Sequence, residues 1–144
     1  MRGQDYRTNL GSWTSEFGPL NQIWHLRSYE SLDERARLRG ELAKNERWTK
    51  EYTPKVRPLM VRQDIRLLNP VYGMTPPEKE GGFYELRMYR MHPGMAAGWA
   101  KAYREIMPVR GKDSKNVGIW TGEAPQPNEG FHKWGPPTGE ARTN

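Results

Sequence analysis

Two histidines in this chain stand in matching surroundings. His25 follows Trp24 and His132 follows Phe131, with Asn21 and Glu16 upstream of the first and Asn128 and Glu123 upstream of the second. An imidazole with a carboxylate in reach is the commonest general acid–base pair. That makes His25, Asn21 and Glu16 candidates for catalysis, and His25, Trp24 and His132 candidates for holding a cofactor. Each residue also has a plainer role. A strand histidine with bulky neighbours is more often buried and hydrogen-bonded, helping to specify the sheet. A strand glutamate more often pairs with a strand arginine. Arg27, Arg62, Arg66 and Arg87 could clamp a small carboxylate, although pairing across the sheet uses the same residues. The remaining histidine, His92, precedes Pro93, and no His-x-His or His-x-x-x-His spacing exists, so no metal is expected. There is no Walker loop, no dinucleotide-binding glycine fingerprint and no nucleophile elbow.

The matching surroundings extend further. Gly11-Ser12-Trp13-Thr14-Ser15-Glu16 aligns with Gly118-Ile119-Trp120-Thr121-Gly122-Glu123 at a constant offset, 118 − 11 = 107, and the same offset joins Asn21 to Asn128 and His25 to His132. Ungapped matches to Trp and His, both rare, mark an internal repeat about one small domain apart. The chain is expected to enter the first copy partway through and to leave the second partway through.

These residues need elements to position them. Leu10–Ser15 and Gln22–Tyr29 are expected as strands around the turn 17–21. The second strand carries Trp24 and Leu26 on one face, Ile23 and Tyr29 on the other, so it should be covered on both sides. Ser31-Leu32-Asp33-Glu34 is a capping box opening a helix to about Lys44, with Leu32, Ala36 and Ala43 near one stripe and Leu38 and Leu42 beside it. Trp48 and Tyr52 should extend helical structure until Pro54 and Pro58 end it. A third strand is expected over Met60–Leu68, from the alternation of Val61, Ile65 and Leu67 with Arg62, Asp64 and Arg66. Residues 69–82, rich in Pro and Gly, read as a linker. Phe83–Met91 should be a strand. A helix follows Pro93-Gly94 with Met95, Trp99, Ala102 and Ile106 on one stripe, and Pro108 should end it. Strands over Asn116–Thr121 and Glu129–Trp134 come next, and 135–144 reads as a disordered tail. The domain plan is therefore 1–68, the last part of a first repeat; 69–82, a linker; and 83–134, the first part of a second. Assembled, one unit is strand–helix–strand–strand–helix–strand, the ferredoxin-like split βαβ order of an α+β fold.

Bulk composition narrows the function. The chain has 144 residues, 35% of them apolar, and a mean hydropathy of −0.99, which leaves a thin core that a second chain would complete. Six Trp and seven Tyr offset part of that deficit. The net charge of +6 favours anionic partners. Because Lys and Arg are interleaved with Asp and Glu, as over 33–41, nucleic acid is not expected, and an anionic membrane surface is only a third reading. The absence of cysteine excludes disulfides and thiolate chemistry. No apolar run reaches the ~20 residues of a membrane span. No signal-like segment opens the chain, so a soluble cytoplasmic protein is expected.

Gly11 to Leu26, with Tyr29-Glu30-Ser31-Leu32-Asp33-Glu34-Arg35, resembles the signature of the NIPSNAP family. Tyr84-Glu85-Leu86-Arg87-Met88-Tyr89, with His92-Pro93-Gly94 and Trp99, resembles that family's opening strand and helix. The resemblance covers nearly all of 9–134. It implies a dimeric α/β barrel, in which two ferredoxin-like units press their open sheet faces together. This sequence departs from the tandem pattern by lacking the first strand and helix of copy one and the last helix and strand of copy two, as an incomplete gene product would. The family carries no agreed enzymatic activity, and its mitochondrial members imply membrane association and protein partners. Related barrels include haem-degrading monooxygenases with Asn, Trp and His in the cleft, which makes Asn21, Trp24 and His25 the site of the alternative reading, although Trp24 and His25 lie on opposite strand faces. The expectation is a non-catalytic NIPSNAP-like protein without cofactor, acting as a homo-oligomer and with protein partners.

Overall fold

The computed structural model describes residues 8–74, 83–110 and 115–135. The chain is α+β and ferredoxin-like, and it divides into two compact units, Met1–Gln63 and Asp64–Asn144.

The first unit opens with an antiparallel hairpin, β1 (Thr8–Thr14) and β2 (Ile23–Ser28). Helix α1 (Leu32–Lys44) follows. Its start is set by the capping box: Ser31 Oγ accepts from the Glu34 amide at 3.0 Å, while Glu34 Oε2 accepts from the Glu30 amide at 2.6 Å. The return bond thus reaches one residue beyond the cap. Asp33 and Glu34 in the first turn and Lys44 in the last complement the helix dipole. Leu38 and Leu42, one turn apart, are the buried pair, and Leu32 is exposed. A wider π-helical stretch, Arg47–Tyr52, stacks Trp48 on Tyr52 at 4.3 Å. It passes into α2 (Thr53–Val56) and a 3-10 turn, Arg57–Leu59. Pro54 sits in the first turn of α2, where a missing amide hydrogen costs nothing, so it continues helical structure instead of ending it.

The second unit is one four-stranded antiparallel sheet in the order β3-β5-β6-β4, built from β3 (Leu67–Met74), β4 (Glu85–Arg90), β5 (Lys115–Ala124) and β6 (Glu129–Gly135). Its crossover helix is α3 (Ala96–Arg110). Strand β3 lies later than the alternation of 60–68 suggested and takes in residues 69–74 of the expected linker. Among the described residues it pairs only with β5, and an edge strand tolerates Pro70. The expected tail from 136 onward lies outside the described residues, whereas Gly135 closes β6.

Helix α3 covers one sheet face. The stripe it packs inward is Trp99, Ala100, Tyr103 and Met107, displaced by one residue, about 100° of rotation, from the stripe the sequence suggests, and Met95 and Ile106 are exposed. Pro108 lies inside the last turn. Met107, Ile119 and Trp134 form the core, with Val71, Tyr72, Trp99 and Tyr103 packed on it. A file of rings crosses it: Tyr89 to Trp99 at 5.7 Å, Trp99 to Tyr103 at 4.5 Å, Tyr103 edge-on to His132 at 5.2 Å, and His132 to Trp134 at 3.8 Å. No helix among the described residues is long and apolar enough to cross a membrane.

Candidate functional site

The candidate residues sit on two hairpins with the same register. Ser12 faces His25 as Ile119 faces His132; Trp13 faces Trp24 as Trp120 faces Phe131; Thr14 faces Ile23 as Thr121 faces Gly130. Both members of each pair differ by 107, as 119 − 12 and 132 − 25 show. The register shift falls at Asn9/Gly11 in one hairpin and at Asn116/Gly118 in the other. In each, a tryptophan two residues on lies over the glycine: Trp13 over Gly11 and Trp120 over Gly118, leaving no room for a Cβ.

What surrounds the hairpins differs. The second is flanked on both sides, and its candidate residues hold the flanking elements. Glu123 accepts from Asn69 Nδ2 of β3 at 2.6 Å. Asn128 receives the turn between β4 and α3: the Met91 amide donates to its carbonyl at 2.8 Å and the Gly94 amide to its Oδ1 at 3.2 Å. Glu129 accepts from Arg66 Nε at 3.1 Å and from Arg90 Nη2 at 3.2 Å. Burial would raise the Glu129 carboxyl, but the two guanidinium groups outweigh it and hold the group below the usual carboxylate range. Sequence reasoning missed Glu129. Its position four residues before Lys133 carries no signal, and only the fold brings Arg66 and Arg90 to it.

His132 is 0% exposed. Its Nε2–H donates to Asn116 Oδ1 at 3.2 Å, and its Nδ1 is buried with no hydrogen-bond partner among the described residues, as is Trp134 Nε1. Burial, then the nearby Arg110 and Arg87 charges, pushes its pKa down to about 4, so the ring is neutral at physiological pH. Neighbouring Lys133, on the opposite sheet face, is 5% exposed, and burial lowers it to about 7. Its ammonium lies 5.4 Å from the Tyr84 ring.

In the first hairpin the same positions face outward. Glu16 and Asn21 are exposed, Asn21 at a φ of 59°, which Asn tolerates better than most residues. Trp24 is half-buried opposite Trp13. His25, expected to be buried, is exposed, with Nδ1 hydrogen-bonded to Ser12 Oγ at 2.7 Å. On the His25 face, Arg27 carries a buried Nε with no hydrogen-bond partner among the described residues, and burial lowers its pKa. Neither hairpin unites His, Asn and Trp in one enclosed group. Trp24 and His25 alternate to opposite faces, as do Phe131 and His132. Among the described residues, no group of three His, Asp or Glu side chains is placed to hold a metal ion. In the second hairpin the arrangement amounts to amide hooks and ion pairs that hold neighbouring strands of the same sheet.

The NIPSNAP family profile matches residues 2–72, the region of the first hairpin and α1. The chain belongs to the NIPSNAP family. It is 32% identical over 101 residues to Protein NipSnap homolog 3A of Homo sapiens, taking in 68% of this chain and 40% of that protein. It is 30% identical over 142 residues to Protein NipSnap homolog of Dictyostelium discoideum, taking in 93% of this chain and 60% of the relative. With Protein NipSnap homolog 3B of Homo sapiens it shares 32% over 108 residues, 71% of this chain and 42% of that one. The chain thus spans about four to six tenths of the NIPSNAP relatives it matches. No solved structure matches.

Proposed function

We propose that this NIPSNAP-family chain has no catalytic activity of its own and works by association, with itself and with other proteins, through a duplicated strand-pairing unit. One observation carries this. The residues that look like chemistry in the sequence act as strand-holding hooks in the second hairpin, where Glu123 binds β3 and Asn128 binds the turn after β4, and Glu129, which the sequence did not single out, joins Arg66 to Arg90. Their counterparts Glu16, Asn21 and Gln22 stand exposed on a hairpin of identical register. A two-stranded sheet alone is marginal in water, and edges of this kind are templates for pairing. Exposed apolar side chains, Phe17, Leu20 and Ile23 among them, extend along the same hairpin.

The two partial copies are read as one gene duplication, and the fitting assembly is a homodimer in which a second chain supplies missing cover. Light scattering at micromolar concentration tests it: the expected mass is twice 16.8 kDa. A particle of single-chain mass, whose unfolding midpoint does not move with protein concentration, contradicts it.

A further inference from the structure

The sheet face turned away from α3 buries an amine among aromatic rings. Lys133 is 5% exposed there, beside Phe131 at 3% and Trp120 at 4%. Leu86 of β4 and Gly118 of β5 stand directly across from it. The Trp120 indole lies over Gly118, where a Cβ would stand 2.4 Å from the ring, and this brings the indole alongside the lysine stem. Tyr84, half-buried, puts its ring 5.4 Å from the ammonium, so the cover on that side is a side chain in reach of solvent. Glu129, the acid two places along the same face, is taken by Arg66 and Arg90.

The hairpin itself does not call for a lysine here. Leu26 fills the matching place in the first hairpin, which has the same register. Burying an ammonium among rings costs stability that a leucine would not cost. A cost borne where an apolar residue fits points to the chemistry of the amine. We propose that Lys133 is a covalent binding site for small aldehydes, which its amine takes up as a Schiff base.

Burial disfavours the ammonium and lowers Lys133 to about 7, so about half of it is free amine at pH 7. An ordinary lysine offers roughly one part in 3,000. Buried lysines supply Schiff-base amines for this reason. The amine lone pair forms the C–N bond. Both amine hydrogens then leave with the carbonyl oxygen as water while C=N closes, and no electrons are gained or lost. The neutral imine suits the ring-lined setting better than the ammonium does. The packing of Tyr84, Leu86, Trp120 and Phe131 restricts the aldehyde to a small one. Forming this adduct needs no second chain, so it holds or fails apart from the association reading above.

The test uses the full natural chain and reads each lysine separately. Formaldehyde or propanal is added at pH 7 with cyanoborohydride, which fixes imines as alkylamines, and peptide mass mapping ranks the sites. Lys133 should be labelled at least tenfold faster than the exposed Lys44 and Lys101. At pH 10, where the reference lysines also lose protons, the advantage should shrink to about threefold or less. Pyridoxal phosphate, a bulky aldehyde, should label the reference lysines and spare Lys133, and Tyr84→Ala should admit it. The ranking within the natural chain needs no variant, so misfolding cannot produce it. Labelling of Lys133 no faster than that of Lys44 and Lys101 at pH 7 overturns the proposal. So does pyridoxal phosphate reacting at Lys133 as fast as propanal, which would mean that the amine is not enclosed. A single-chain mass in light scattering with Lys133 labelled first removes self-association and leaves this site. A dimer with Lys133 unlabelled does the reverse.

Discussion

His132 and Asn116 are joined inside the second unit by a 3.2 Å hydrogen bond from Nε2–H to Oδ1, with the imidazole wholly buried. Glu85, Arg87, Tyr103 and Arg110 face the ring, and burial with the two arginines lowers its pKa to about 4 from an ordinary 6.5. The unfolded chain therefore takes up a proton that the folded chain refuses. Stability should be fully present above pH 6.5 and lost as pH falls from there toward 4. A shift of this size corresponds to roughly 3 kcal/mol. Urea midpoints at pH 7, 6, 5 and 4 should show the decline. His132→Phe, which keeps a ring but cannot titrate, should remove that slope above pH 5. An equal slope in the variant would assign the decline to other groups.

Lys133 carries the opposite lesson. Its folded pKa of about 7 against an ordinary 10.5 means that the neutral amine is favoured in the fold. The contribution is complete above pH 10.5 and lost as pH falls to 7, so the natural protein bears the full cost at and below neutrality. Leu26 occupies the matching place in the other hairpin. Lys133→Leu should raise stability at pH 7 by about 1 kcal/mol or more, the low end for relieving a buried polar group. The gain should shrink as pH rises to 10. A loss of stability would show that the contact with Tyr84 outweighs the burial.

The two histidines should separate on mutation. His25 is exposed and keeps a hydrogen bond to Ser12, so His25→Ala should cost no more than about 1 kcal/mol. His132→Ala removes a buried ring touching Tyr103 and Trp134 and should cost roughly 3 kcal/mol. Guanidinium denaturation of both variants checks the order, and a larger cost at His25 would contradict the exposure of its face. Neither substitution should alter haem absorbance on titration, since no haem complex is expected.

Much of this was legible in the residues. The capping box predicted where α1 begins, because its bonds are local and depend on the side chains of Ser31 and Glu34. The offset of 107 located both hairpins, because Gly-x-Trp packs within one strand. Apart from Pro54, whose place in the first turn of α2 is a local matter, the misses needed partners distant in sequence. Strand β3 runs through Pro70 and Gly73, which read as a linker until β5 is seen to pair with only one side of it. In α3, Met95/Trp99/Ala102/Ile106 and Trp99/Tyr103/Met107 are both helical stripes, and only the sheet beneath selects the second. For His25 and His132 the sequence showed identical settings, and only the flanking strand and helix separate an exposed ring from a buried one.

Ser31→Ala should weaken α1 by ~1 kcal/mol, the scale for a lost N-cap. Glu34→Ala should cost a comparable amount, since it frees the Glu30 amide. The pair should be less than additive, because both substitutions open the same turn. Thermal melts of the two single variants and the double variant measure this. Full additivity would mean that the two bonds act independently.

Gly130 and Trp99 give the last prediction. A methyl on Gly130 would stand 2.7 Å from the indole, and that indole is held on its other sides by Tyr89 and Tyr103, so it has little freedom to withdraw. Gly130→Ala should destabilise the second unit by ~1–3 kcal/mol, the range for overpacking. Trp99→Leu should cost a similar amount alone by removing ring contacts. Combined, the smaller side chain admits the methyl, and the double variant should be more stable than the sum of the single losses by about 1 kcal/mol. Ile23→Ala is the matched control, because its side chain is largely exposed and should change stability by no more than about 0.5 kcal/mol. Denaturant midpoints for the four variants complete the cycle. A coupling near zero between positions 99 and 130 would mean that α3 shifts to absorb the methyl and that Gly130 does not select the residue above it.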